Sequence, residues 1–355
     1  MRRIGFLVNP IAGMGGRVGL KGTDGLVEEA RALGAEPRAG ERALRALRAL
    51  DSHATDVELF TWGGSMGGSL TESLDLKTTV LGEPENGDTT VEDTHNALEA
   101  FLEEAVDVIL FAGGDGTAVD ITEYLTANDA DIPIIGIPAG VKIFSSVFAV
   151  SPEDAGRIVA TFETTEQREV ADIDEDAYRK GTVTSTIRGV VSVPVADAVQ
   201  STKELGGGSV DAAVAGWIDA CSSDETYFLG PGGTMDQIKT ALGFDGSPLG
   251  VDVWRDGDLL ANDANEEILL SYLDDATTIV LSPIGGQGFL FGRGNHQFSP
   301  AIIRESTIDI VASPDKLDSI GVLRVDTGDP ELDKELQGWV KVRTGRVERR
   351  MMEIV

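Results

Sequence analysis

An aspartate stands inside a glycine turn at Gly113-Gly114-Asp115-Gly116-Thr117. Glycines let a backbone approach an anion closely, and the free N–H groups of a first helical turn point at it. A carboxylate in such a turn repels phosphate unless it holds Mg²⁺ or takes a proton from an attacking hydroxyl. The pentapeptide therefore reads as a phosphoryl-transfer centre or as a tight turn in which Asp115 caps a helix. The apolar run Val106–Ala112 before it predicts a short buried strand, and Ala118–Leu125 after it predicts a helix. A glycine turn between such elements is where open α/β sheets hold phosphates.

Four other stretches carry donors. Asn9 follows the first apolar run and leads into a loop holding Gly13, Gly15 and Gly16, then Lys21, Thr23 and Gly25. That loop reads as a surface loop or as one reaching the phosphate site, and the second is preferred because it follows the first strand. Gly136-Ile137-Pro138-Ala139-Gly140-Val141-Lys142 also leaves a strand end, where Lys142 is a point charge for phosphate or a solvated lysine. Gly230–Ile238 opens a helix, and Gly232, Gly233, Thr234 and Asp236 offer amide and side-chain groups to a substrate or cap that helix. Pro283–Gly288 contains Gly286 and precedes Arg293, which binds phosphate or pairs with an acid. No segment fits G-x-x-x-x-G-K-[ST] or G-x-G-x-x-G. The histidines, His53, His95 and His296, lack zinc-site spacing.

These motifs, in this order, resemble the nucleotide-binding signature of the NAD kinase and diacylglycerol kinase superfamily. Val8–Gly16 and Leu20–Gly25 are similar to the branch called ATP-NAD kinase family proteins. The resemblance implies phosphoryl transfer from ATP or polyphosphate, with Mg²⁺, to the 2′-hydroxyl of NAD, a small-molecule partner. It implies Asp115 as base or metal ligand. Asn9, Gly13, Gly15, Gly16, Gly113, Gly114, Gly116, Thr117, Gly140 and Lys142 then hold the nucleotide, and Gly232, Gly233, Thr234, Asp236, Gly286 and Arg293 the substrate. One element departs: NAD kinases carry an Asn-Glu dipeptide between the two glycine motifs, whereas Asn265-Glu266 comes after the second, in a helical pattern. Two alternatives stay open, a kinase of this fold acting on another small alcohol and a nucleotide-binding regulator without catalysis.

Composition narrows the partners. The 355 residues hold 60 acidic against 29 basic side chains, a net charge of -31, with nine lysines and twenty arginines. Such a surface repels nucleic acid and anionic membranes, and it fits a haloarchaeal, high-salt cytoplasm. The single cysteine, Cys221, fits a reducing compartment. Arg2-Arg3 before an apolar run could suggest a signal peptide, but the run ends early at Asn9-Pro10 and reads as a strand. A homo-oligomer is expected.

Alternating strand and helix patterns over residues 1–150 predict a Rossmann-like parallel sheet with helices on both faces. Ser151-Pro152-Glu153-Asp154 opens a further helix. From about Thr165 short β-rich segments dominate, so 151–328 is expected to be a β-rich substrate domain. By resemblance, 329–355 is expected to return to the first domain, with a crevice between the two.

Overall fold

The computed structural model describes every residue except 17, 19, 21–26, 54–55, 85–88, 141–142, 174–184, 197–198 and 200–209. The chain forms two compact units, one of Met1–Met14, Glu36–Asp174 and Thr184–Thr202, the other of Gly15–Ala35, Glu175–Val183 and Lys203–Val355.

In chain order the first half comprises β1 (Arg2–Val8), the short helix α1 (Val27–Ala32, in unit 2), α2 (Ala39–His53), β2 (Val57–Trp62) and α3 (Gly68–Thr71). Then come β3 (Thr78–Gly82), α4 (Val91–Glu103), β4 (Val108–Gly113), α5 (Asp115–Ala127), β5 (Ile134–Pro138) and α6 (Pro152–Thr161). Unit 1 is built on a parallel sheet in the order β3-β2-β1-β4-β5. The central strand β4 is buried along its whole length, which is why its sequence is an unbroken apolar run. Helix α2 presents Ala43, Ala46, Leu47 and Leu50 to the core, and α6 packs so closely on it that a Cβ on Gly156 would meet Ala46 O at 2.0 Å. Ser151 caps α6 by accepting from the Asp154 N–H. Arg2 and Arg3 serve the strand: Arg2 donates to the carbonyls of Val159 and Phe162, and Arg3 pairs with Glu104.

The antiparallel hairpin of β6 (Thr165–Ile173) and β7 (Ser185–Pro194) belongs to unit 1. Ser192 Oγ donates to Asp131 at 2.7 Å, and Arg188 pairs with Glu123 at 2.8 Å. The boundary expected at residue 150 therefore falls inside unit 1. Short β segments alone do not tell a hairpin packed on α5 of the first unit from the start of a new domain.

Unit 2 continues with α7 (Asp211–Ile218), β8 (Thr226–Leu229), α8 (Gly233–Ala241), β9 (Asp252–Arg255), β10 (Asp258–Ala261), α9 (Glu266–Tyr272) and β11 (Thr277–Leu281). It ends with β12 (Phe289–Phe291), α10 (Pro300–Arg304), β13 (Thr307–Val311), α11 (Pro314–Ile320), β14 (Arg324–Val325), α12 (Pro330–Glu335), β15 (Gly338–Arg343) and β16 (Arg349–Ile354). Its main sheet has seven strands in the order β10-β9-β8-β11-β13-β15-β16. Strands β8, β11, β13 and β15 run parallel, and the two edges are antiparallel hairpins. The segment 329–355 lies in this sheet through β15 and β16, not in the first unit where it was expected. Ile310↔Val342 and Arg343↔Arg349 set its register, and Val342 is fully buried there.

Candidate active site

The order of the first sheet reverses between β1 and β4: β2 and β3 lie beyond β1, and β5 lies beyond β4. In open α/β sheets the crevice beyond the carboxyl ends of two such strands is where ligands bind. Asn9 directly follows β1 there, Gly113 ends β4 and Gly114 follows it. The Asn9 N–H donates to Ala112 O at 2.9 Å, and its side-chain amide donates to Thr117 Oγ1 at 3.0 Å. Its side-chain oxygen accepts from the Ile11 N–H at 3.2 Å, which turns the loop back on itself. One residue thus ties the first loop to the first turn of α5.

The third loop joins them. The amides of Ala139 and Gly140 both donate to Gly113 O, at 2.9 and 3.0 Å. Gly13 has φ +77°, and a Cβ there would lie 1.9 Å from Ala139 O, so no other residue fits. Buried Arg42 on α2 donates to Pro138 O and fixes the end of β5. Asn9, Gly13, Gly113, Gly114, Thr117 and Gly140 are therefore held by one hydrogen-bonded set of loops. Gly116 is exposed on the first turn of α5. Gly15 and Gly16 fall in unit 2, where Gly16 lies against His296. Lys142, Lys21, Thr23 and Gly25 lie outside the described residues.

Asp115 is the first residue of α5, and the N-cap position belongs to Gly114, which makes no side-chain cap. The capping alternative for Asp115 is thereby excluded. Its two carboxylate oxygens instead accept backbone N–H groups across the site, Oδ2 from Phe144 at 2.8 Å and Oδ1 from Ser145 at 2.9 Å. The carboxylate is fixed in direction at the α5 N-terminus. Among the described residues no group of three or more His, Cys, Asp or Glu side chains is placed to hold a metal ion.

Unit 2 has a reversal of its own. β9 and β10 lie on one side of β8, while β11 and β13 lie on the other. The loop after β8 carries Gly232 (φ +105°), whose N–H donates to Pro248 O at 2.7 Å, and Gly233 starts α8. Thr234 is buried in the first turn of α8. Ser282, directly after β11, donates to Thr234 Oγ1 at 3.3 Å, and Lys316 on α11 donates to both hydroxyls, at 3.3 and 3.1 Å. Burial holds the Lys316 ammonium below the ordinary lysine range. Sequence reasoning found Thr234 and missed Ser282 and Lys316. The scarcity of lysine was the available signal.

Lys316 is half-buried, whereas Lys239 is fully buried; burial lowers the Lys239 pKa as well, but Lys239 pairs with buried Asp252 at 3.0 Å and donates to Ser247 O and Gly250 O. Asp236, expected to touch substrate, contributes to the field at Lys239. Arg293 departs from its expected substrate role. It is buried, forms an ion pair with Asp326 and stacks 4.4 Å over the Phe289 ring, so its charge is committed inside unit 2. Gly286 (φ +73°) shapes a tight turn closed by Gly288 N–H to Ile284 O at 2.8 Å. Asn265 caps α9 by accepting from the Ile268 N–H at 3.0 Å, which accounts for the displaced Asn-Glu dipeptide. A cavity of about 470 Å³ in unit 2 is walled by Trp217, Phe291, Trp339 and Arg343, and its lining does not include Thr234, Ser282 or Lys316.

The first sheet defines a doubly wound α/β protein with glycine loops gathered at its switch point. Residues 4–167 match the ATP-NAD kinase N-terminal domain, and residues 223–354 match the ATP-NAD kinase C-terminal domain. The chain belongs to the ATP-NAD kinase family, a family of phosphotransferases. No curated protein matches the sequence. Among solved structures, a diacylglycerol kinase from Bacillus anthracis str. Sterne is similar at 16% identity and a TM-score of 0.25, over 49% of this chain and 46% of that one. The UDP-GlcNAc 2-epimerase from Neisseria meningitidis is similar at 12% identity and a TM-score of 0.24, over 92% of this chain and 78% of that one. The chain thus spans under half the length of the diacylglycerol kinase. Among the described residues no helix is long and apolar enough to cross a membrane.

Proposed function

We propose that the chain transfers the γ-phosphoryl group of ATP to the 2′-hydroxyl of the adenosine ribose of NAD, giving NADP. The observation that carries this reading is the convergence of the Asn9, Gly113–Thr117 and Gly136–Gly140 loops on the switch point of unit 1, with the Asp115 carboxylate fixed among them. Family membership supplies the reaction class.

In this reading the amides opening α5 face phosphate oxygens, and the Asn9–Thr117 bond holds the two loops at a fixed spacing. Phosphoryl transfer depends mainly on positioning and electrostatics, so rigid loops matter more than covalent chemistry. Phe144 and Ser145 orient Asp115, and an oxygen of its carboxylate accepts the proton of the acceptor hydroxyl. The same carboxylate would suit a Mg²⁺ ion that arrives on the nucleotide phosphates, since such ions are held by one or two carboxylates plus phosphate oxygens. When bound, Mg²⁺ neutralises charge on the transferred group.

A second acceptor class is favoured by one observation. Asn265, of the only Asn-Glu dipeptide, is engaged as a helix cap, which leaves room for a kinase of another small alcohol. Incubation with ATP and Mg²⁺ against NAD, NADH, polyols and nucleosides, read by product mass, separates the two. NADP formation supports the proposal. Phosphorylation of another alcohol with NAD untouched overturns the acceptor, and no transfer to any member overturns the activity.

A further inference from the structure

We infer that Lys316, with the hydroxyls of Thr234 and Ser282, forms a binding site for a phosphate group in unit 2. The inference rests on the phosphotransferase reading only for the kind of ligand it names.

Two lysines of this unit lie in desolvated surroundings, and the structure treats them oppositely. Lys239 faces the carboxylate of Asp252 and two carbonyl oxygens, which offset the cost of removing an ammonium from water. Among the described residues, the Lys316 ammonium donates to two neutral hydroxyls and no carboxylate lies within ion-pair distance of it. A chain with 60 acidic and nine lysine side chains has abundant carboxylates to place there. An ammonium held away from water without an opposite charge is costly, and an anion bound from solution supplies what is missing.

The placement fits a ligand. The three side chains come from the segments that follow β8, β11 and β13, all parallel, so they share the carboxyl ends of adjacent strands. That is the switch point of the second sheet. Lys316 has three N–H donors, of which two are spent on Thr234 and Ser282. Ser282 in turn donates to Thr234, so the Thr234 O–H remains to be given. Among the described residues, one ammonium N–H and one hydroxyl thus stay available for the oxygens of a tetrahedral anion. Thr234 and Ser282 lie 82 and 34 residues from Lys316 in sequence, so local chain geometry does not explain their meeting.

The phosphate could belong to a dinucleotide or be free in solution, and titration calorimetry of the full chain in molar KCl distinguishes the two with NAD and inorganic phosphate as separate ligands. Wild type is expected to bind at least one. Lys316→Met is expected to weaken that binding at least tenfold, and Ser282→Ala several-fold. Lys341→Met, which removes an exposed lysine elsewhere in the unit, is expected to change neither. Melting of the ligand-free Lys316→Met chain separates a binding lysine from a structural one: its Tm is expected to equal or exceed that of wild type. Wild type binding neither ligand, Lys316→Met binding as wild type does, or a ligand-free Lys316→Met Tm well below wild type would each overturn the site. Loss of phosphate binding in Lys316→Met alongside no phosphoryl transfer to NAD would sustain the site and remove the acceptor reading instead.

Discussion

Replacing Asp115 by Asn tests the least expected feature of the first site, a carboxylate that holds a neighbouring loop by two amides. Both donors are buried, Phe144 at 3% exposed and Ser145 at 0%. Asn keeps one oxygen acceptor and turns an NH₂ group toward the second amide. One charge-assisted hydrogen bond is lost, and one buried N–H loses its acceptor. Hydrogen bonds to charged groups contribute about 1.5–3 kcal/mol, so a loss of about 2–3 kcal/mol is expected. Unit 1 spans roughly 170 residues, for which each kcal/mol shifts Tm by about 2–4 °C. Scanning calorimetry in molar KCl should therefore show a drop of about 4–12 °C. The lost charge is one in a net of -31 and acts weakly in the opposite sense. A Tm within about 1 °C of wild type would refute the loop-holding role. Turnover at 25 °C, where the variant is still folded, is expected to fall about a hundredfold or more.

Asn9→Ala removes the bond to Thr117, and at least a tenfold fall in kcat/KM for ATP is expected; steady-state kinetics with an unchanged value would detach the first loop from the site. Asp326→Asn removes the charge that faces buried Arg293 in their ion pair and should cost about 3–5 kcal/mol in urea unfolding, whereas a loss below about 1 kcal/mol would show the pair to be dispensable. Because burial lowers the folded pKa of Lys316, the unfolded chain holds this proton at a pH where the native chain has released it. Wild-type stability relative to Lys316→Met should accordingly rise as pH passes up through the depressed folded pKa and level off near 10.5, the ordinary lysine value; a constant difference from pH 7 to 10.5 would contradict this. The charge of -31 predicts a Tm that rises from dilute buffer to molar KCl, where the screening length is about 3 Å, and a flat or falling series would leave the acidity unexplained.

What could be read from sequence follows from how local each signal is. The five strands of the first sheet were legible because each is a short segment rich in apolar or β-branched residues bounded by turn residues, and β4 is apolar throughout since both its faces are covered. Ser151 and Pro152 marked the start of α6 for the same local reason. The contacts that make the sites are not local. Asp115 meets amides 29 and 30 residues away, and Arg293 meets an acid 33 residues on, so neither partner could be named in advance. The β6–β7 hairpin was assigned to the second domain because a strand's composition does not say which sheet it packs on. Strands β12 and β14, three and two residues long, are too short to show any period.

Transfer of the γ-phosphoryl group to NAD is the most direct measurement. The purified chain, given ATP labelled at the γ-phosphorus, Mg²⁺ and NAD in molar KCl, should yield label in NADP at the 2′-position, and Asp115→Asn should reduce the rate about a hundredfold or more. Label remaining in ATP and free phosphate, with none in NADP at any salt concentration, would contradict the proposed function.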